Sequence, residues 1–124
     1  MNTHHEPLKF QTLTQTTRGK VSIAHSHQKT CVCIQIQFDH LLWQFPRTNL
    51  ENLYRYISYL NSPEGFAQNA YNQYQTVVAM SGHKMMALMT REALEKLQEL
   101  LQMARVSLLN NDLKAELLSN HPLE

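Results

Sequence analysis

Along residues 31 to 38, CVCIQIQF, apolar and polar positions alternate without a break. Val32, Ile34, Ile36 and Phe38 fall on one face, and Cys31, Cys33, Gln35 and Gln37 on the other, the period-two mark of a half-buried strand. Leu41 to Phe45 repeats the pattern with Leu41, Trp43 and Phe45. Asp39-His40 between them suits a two-residue turn, because Asp tolerates left-handed backbone. Pairing 38 with 41, 36 with 43 and 34 with 45 collects every large residue on one side. After Phe45 the period changes. Leu50, Leu53, Tyr54, Ile57 and Leu60 recur at helical spacing. Thr48 and Glu51 stand three apart as a capping box, and Asn61-Ser62-Pro63-Glu64-Gly65 stops the helix.

Residues 1 to 8 read as a loose arm. Residues 9 to 15 alternate weakly as a strand, Arg18-Gly19 marks a turn, and residues 20 to 27 carry Val21 and Ile23 on one parity of a short strand. Residues 66 to 75 are polar, a loop with a helical turn. The earlier pattern then returns: a strand from Thr76 to Ser81, a Gly82-His83 turn, and a strand from Lys84 to Met89. Thr90 caps a helix carrying Leu94, Leu97, Leu101, Ala104 and Leu108. A last short helix is expected over 111–119, with Leu113, Leu117 and Leu118 inward.

At a shift of 44 residues hairpin falls on hairpin and helix on helix: Ile34 meets Val78, Ile36 Met80, Leu50 Leu94 and Ile57 Leu101. This suggests an internal repeat of two ββα units, 20–60 and 76–109, within a single domain spanning 1–124. Neither unit can bury its apolar sheet face and helix stripe alone. The expected fold is therefore α+β, with tandem ββα units forming a mainly antiparallel sheet and the helices packed on one face.

The two hairpins differ. The first has a polar outer face of Gln35, Gln37 and Gln44. In the second, Val77, Ala79, Met86 and Leu88 face out while Met80, Met85, Ala87 and Met89 face in. Strands apolar on both sides need cover on both sides. The cover is the N-terminal arm, the last helix or a second copy of the chain. The expectation is a homo-oligomer, a dimer through the second hairpin, where methionine-rich surfaces are at home.

Composition agrees with a packed core: of the 124 residues 43% are hydrophobic and 17% charged, which argues against disorder. The formal charge is +1, and the 11 Lys and Arg form no run, so a nucleic-acid partner is not expected. No window approaches the roughly 18 apolar residues of a membrane span, and MNTHHEPLKF lacks a signal peptide's apolar core. Two cysteines spaced Cys-x-Cys make no disulfide framework. The expected setting is cytoplasmic, with reduced thiols. Leu123-Glu124 has the look of an expression-vector scar at 123–124.

Chemistry concentrates in one stretch, His25 to Cys33, HSHQKTCVC. If Gln28-Lys29-Thr30 were a hairpin loop, His27 would pair with Cys31 and His25 with Cys33. The four would share a face as a Cys2His2 set acceptable to zinc or another transition metal. That register sets Ile23 beside Gln35 and Val21 beside Gln37. A slip of one residue pairs Ile23 with Ile36 and Val21 with Phe38, and sends the histidines to the face opposite the cysteines. Burying two large aliphatics is worth roughly 3–5 kcal/mol. The slip is therefore preferred and no metal is assigned; the metal-binding module at His25, His27, Cys31 and Cys33 stays as the alternative. A thiol nucleophile at Cys31 or Cys33 would have a histidine base but no acid partner. Tyr54, Tyr56, Tyr59, Tyr71 and Tyr74 could line a cleft for a small-molecule enzyme or sensor. There is no phosphate loop, acidic dyad or nucleophile elbow, so no catalytic residue and no cofactor are assigned. His40 and His83 sit in corresponding turns and read as solvated.

The segments Arg18-Gly19-Lys20-Val21, Ile34-Gln35-Ile36-Gln37-Phe38-Asp39 and Thr48-Asn49-Leu50-Glu51-Asn52-Leu53 resemble a family of small uncharacterised bacterial proteins. That family shows a Gly, a Cys-x-x-Cys-like pair, an apolar strand and a helix opened by a capping residue. The resemblance covers about a third of the chain. Where the family carries two cysteines before the strand, this chain has His25-Ser26-His27, with Cys31 and Cys33 displaced. The resemblance implies no activity. The leading expectation is a non-enzymatic protein acting through self-association or protein contacts.

Overall fold

The computed structural model describes residues 9–25, 31–80 and 85–120, the side chains at 31, 32 and 115–120 excepted. The loose arm, His27, the Gly82-His83 turn and the 123–124 scar lie outside the described residues. In chain order the elements are β1 (Lys9–Gln15), β2 (Gly19–His25), β3 (Cys31–Phe38), β4 (Leu41–Pro46), a 3-10 turn (Arg47–Asn49), α1 (Leu50–Asn61), α2 (Pro63–Gln68), β5 (Gln75–Met80), β6 (Met85–Thr90) and α3 (Arg91–Asn120). The class is α+β with antiparallel strands, as expected. The strands divide into two sheets, one in the order β1-β2-β3-β4 and a separate pair β5-β6.

The division has a visible cause. The Ala79 N–H donates to the Tyr56 hydroxyl at 2.8 Å, and the Val77 N–H to the Asn69 carbonyl at 2.9 Å. These N–H groups are already satisfied along the outer edge of β5 and are not available to a further strand. A cleft of about 310 Å³ lies where β4 and β5 would otherwise meet, lined by Trp43, Phe45, Leu53 and Met80 among others.

One core serves both sheets. Val21, Ile23, Ile34, Ile36, Phe38 and Trp43 of the larger sheet and Val78, Met80 and Met89 of the smaller are buried in one cluster. Leu50, Ile57 and Leu60 of α1 and Leu94, Leu97, Leu100, Leu101 and Ala104 of α3 complete it. Hairpin β3–β4 has the anticipated register, Phe38 opposite Leu41, Ile36 opposite Trp43 and Ile34 opposite Phe45. Asp39 takes the left-handed conformation its turn demands, φ 53°.

Between β2 and β3 the register is one residue away from the metal-forming alignment, but in the other direction from the slip expected. Ile23 faces Ile34 and Val21 faces Ile36. The reason lies at the strand end, where Gly19 sits opposite Phe38. A Cβ at Gly19 would stand 2.5 Å from the Gln37 carbonyl oxygen and 2.8 Å from Leu100 Cδ2. Phe38 and Leu100 fill this position because its residue lacks a side chain. Placing Val21 opposite Phe38 would forfeit that fit.

Two helix boundaries differ from expectation. Thr48 lies inside the 3-10 turn, and α1 begins after Asn49 without a side-chain cap. Glu51 instead accepts from Arg105 of α3, at 2.6 and 3.1 Å. The 91–109 and 111–119 helices are one continuous helix of 30 residues, about 45 Å long at 1.5 Å per residue. Asn110 and Asn111 cost the helix only a few tenths of a kcal/mol each. Asp112 is tied to Arg47 just beyond them, and neither Gly nor Pro intervenes. Thr90 does cap α3, its hydroxyl accepting from the Ala93 N–H at 3.2 Å.

Candidate interaction surface

The β5–β6 pair places Val77 opposite Leu88 and Ala79 opposite Met86. Partners in an antiparallel pair share a face, so these four residues form one surface. The alternate residues Thr76, Val78, Met80 and Met89 are buried in the core. Met85, expected inward, pairs with Met80 yet is exposed at the strand's end. On the outer surface Met86 is 69% and Leu88 44% exposed, while Val77 and Ala79 are half-buried. Neither α3 nor any other described element covers it.

A second apolar strip lies on α3. Met103, Val106, Leu109 and Leu113 are all exposed and recur three or four residues apart, on the side opposite the buried Leu97, Leu101 and Ala104. The same outer side carries Glu92, Glu95 and Glu99 nearer the start of the helix. The outer side of α3 thus changes from acidic beside the sheet to apolar in its second half.

Of the residues singled out for metal chemistry, His27 lies outside the described residues, and the backbone of the other three does not align as the metal register required. A bulge after Ala24 puts His25 opposite Cys31, while Cys33 faces Ala24. His25 Nε2 meets Gln11 Oε1 at 3.0 Å, and Lys9 lies opposite His25 on β1. Among the described residues no group of three or more His, Cys, Asp and Glu could hold a metal ion. The tyrosines scatter as well. Tyr54 lies under the Arg105 guanidinium at 4.0 Å, Tyr56 binds the Ala79 N–H, and Tyr59 donates to Gln68. Tyr71 and Tyr74 are exposed on the loop before β5. His40, in the β3–β4 turn, is exposed as expected.

The best-organised polar group is one that the sequence pattern did not reveal. Arg18 donates from Nε and Nη2 to the Asp39 carboxylate, at 3.0 and 2.6 Å. Nη1 reaches Glu92 at 3.3 Å, and the guanidinium lies 5.1 Å from the Phe38 ring centre. One side chain thereby ties the β1–β2 turn, the β3–β4 turn and the first turn of α3. The hydrogen bonds from Arg18 hold the Asp39 carboxyl below its ordinary pKa, against an opposing desolvation effect, and the same bonds raise Arg18. Arg105 does likewise for Glu51. Arg91 lies 4.5 Å from the Phe66 ring centre. The depression of about 500 Å³ beside Arg18 includes Lys20 and His40, but its arginine is already committed to carboxylates. These groups act as fasteners between elements, and no nucleophile and base stand together in them.

The fold and surface define an α+β protein of two antiparallel sheets around one core, with apolar surface left over on the smaller sheet. The chain belongs to a family of unknown function, DUF6686, whose model matches residues 7–120. The kinship extends over most of the chain, well beyond the third legible in its strand and cap motifs. No curated protein and no solved structure matches it. No helix among the described residues is long and apolar enough to cross a membrane.

Proposed function

We propose that this is a non-enzymatic contact protein that self-associates through the β5–β6 hairpin, in the cytoplasm. The observation that carries the reading is the outer surface of that hairpin, where Met86 and Leu88 are exposed beside Val77. A strand pair buried on one side by its own core gains little for folding from exposed apolar residues on the other side. Those residues repay their exposure when another protein covers them.

Sedimentation velocity of the full chain over a concentration series tests it. The expected result is reversible dimerisation, abolished by Leu88→Glu with an unchanged circular dichroism spectrum. A monomer at every concentration would overturn the proposal.

A further inference from the structure

We infer that the dimer forms along the free edge of β6, by antiparallel pairing with β6 of a second copy, giving a continuous four-stranded sheet β5-β6-β6-β5. This rests on the self-association proposed above and specifies its geometry. In an antiparallel ladder the N–H and C=O of one residue point to the same side, and the side alternates along the strand. The N–H groups of Val77 and Ala79 point away from β6, to Asn69 and Tyr56. The polar groups of Val78 therefore point toward β6, at its partner Ala87. Along β6 the backbone groups of Ala87 face β5, and those of Met86 and Leu88 face the open edge. Among the described residues nothing receives them.

Open edges are ordinarily blunted by charge, proline, a bulge or a cover. The other edges of this molecule show those devices. β1 carries Lys9 and a bulge between Thr12 and Thr14, β4 ends in Pro46, and β5 is capped as described. β6, MMALMT, has no charge, proline or bulge, and no described element covers its edge. It carries no charge, so pairing with its own copy sets no like charges opposite each other. With Leu88 on the two-fold axis, Leu88 meets Leu88 and Met86 meets Thr90. The outward faces of the two hairpins then run together, and the inner Ala87 and Met89 continue the core side. A second copy supplies a strand of this complementary kind with its two-fold symmetry built in.

Amide hydrogen exchange of the full chain, followed across the monomer–dimer transition, decides it. In the dimer the Met86 and Leu88 amides are expected to exchange at least about tenfold more slowly than in the monomer. The Ala79 amide, already bonded within the chain, should change little. Met86→Pro removes an edge N–H that no bond among the described residues uses, and should leave the protein monomeric. If the chain dimerises with Met86 and Leu88 amides unprotected, edge pairing is wrong although self-association stands. If it never dimerises, both fail. A chain whose β6 amides gain protection only on adding a foreign extended peptide would also overturn the choice of a second copy.

Discussion

Hairpins β3–β4 and β5–β6 bury the same kind of inner face, yet they treat their outer faces and edges differently. Ile34 and Ile36 of one, and Val78 and Met80 of the other, lie in a single core. On the outside β3–β4 shows Gln35 accepting from Gln44 at 2.7 Å, with Gln37 exposed beside them. β5–β6 shows methionine and leucine. β3 is paired on both sides, by β2 and β4, whereas β6 has one neighbour among the described residues. The contrast separates what the fold requires from what it leaves over. An inner face suffices to hold a hairpin to the helices. On the proposed reading the apolar outer face of the second hairpin is surplus to folding, and an apolar face beside an unblunted edge suits an interface.

The comparison breaks most directly where the two faces are truncated. Ile36→Ala, in the fully buried face, should cost about 2–5 kcal/mol in a denaturant titration. Leu88→Ala, measured dilute, should stay within about 0.5 kcal/mol of the parent. If Leu88→Ala cost as much as Ile36→Ala in the monomer, the outer face would be core and the distinction would collapse.

Next in size is the register that builds the first sheet. Gly19→Ala drives a methyl into the Gln37 carbonyl and Leu100, and overpacking of this sort costs about 1–3 kcal/mol. Wild-type stability in that variant would mean that Phe38 and Leu100 do not fix the alignment of β2 on β3. Tyr56→Phe probes the boundary between the sheets by removing the acceptor of the Ala79 N–H. A loss of about 0.5–1.5 kcal/mol is expected, with faster exchange at Ala79. Unchanged exchange there would show that another group, and not Tyr56, closes the β5 edge.

Most elements were legible because alternation and helical spacing report which residues face the core. The β3–β4 register, the helix stripes and the two-sided second hairpin follow from that alone. What was missed depends on contacts distant in sequence. The slip of β2 on β3 was readable as a choice of parity, but its direction depends on Leu100 meeting Gly19, 81 positions away. The break between the sheets depends on a tyrosine hydroxyl reaching a strand edge. The capping box at Thr48 and Glu51 was a sound local pattern that lost to an ion pair with Arg105. The expected separate helix over 111–119 lost to the weak cost of Asn and to Asp112 binding Arg47. The apolar strip on α3 could have been read from the spacing of Met103, Val106, Leu109 and Leu113, had the helix been taken as one.

The smallest effect belongs to the fastener at the end of the first hairpin, for which β5–β6 shows no counterpart among the described residues. Asp39→Asn keeps a residue that tolerates the left-handed φ of 53°, so it isolates the charge. The pair is exposed, and such pairs contribute about 0.2–1 kcal/mol. Its pH dependence is the sharper readout. The Asp39 pKa in the folded protein lies below its ordinary value, chiefly because Arg18 donates to it. The contribution is therefore present above the unfolded value of about 3.9, and is lost as pH falls through the lower folded value. Arg18 is raised from a value already far above neutrality, so it adds no dependence at neutral or acid pH. Glu51 is depressed by Arg105 in parent and variant alike, and cancels in the difference between them. Parent minus variant stability, from denaturant titrations, should be largest near neutrality and shrink toward zero in strong acid. A difference that is constant with pH would mean that the variant reports turn geometry, and that Arg18 holds the β3–β4 turn by stacking on Phe38 instead of by its charge.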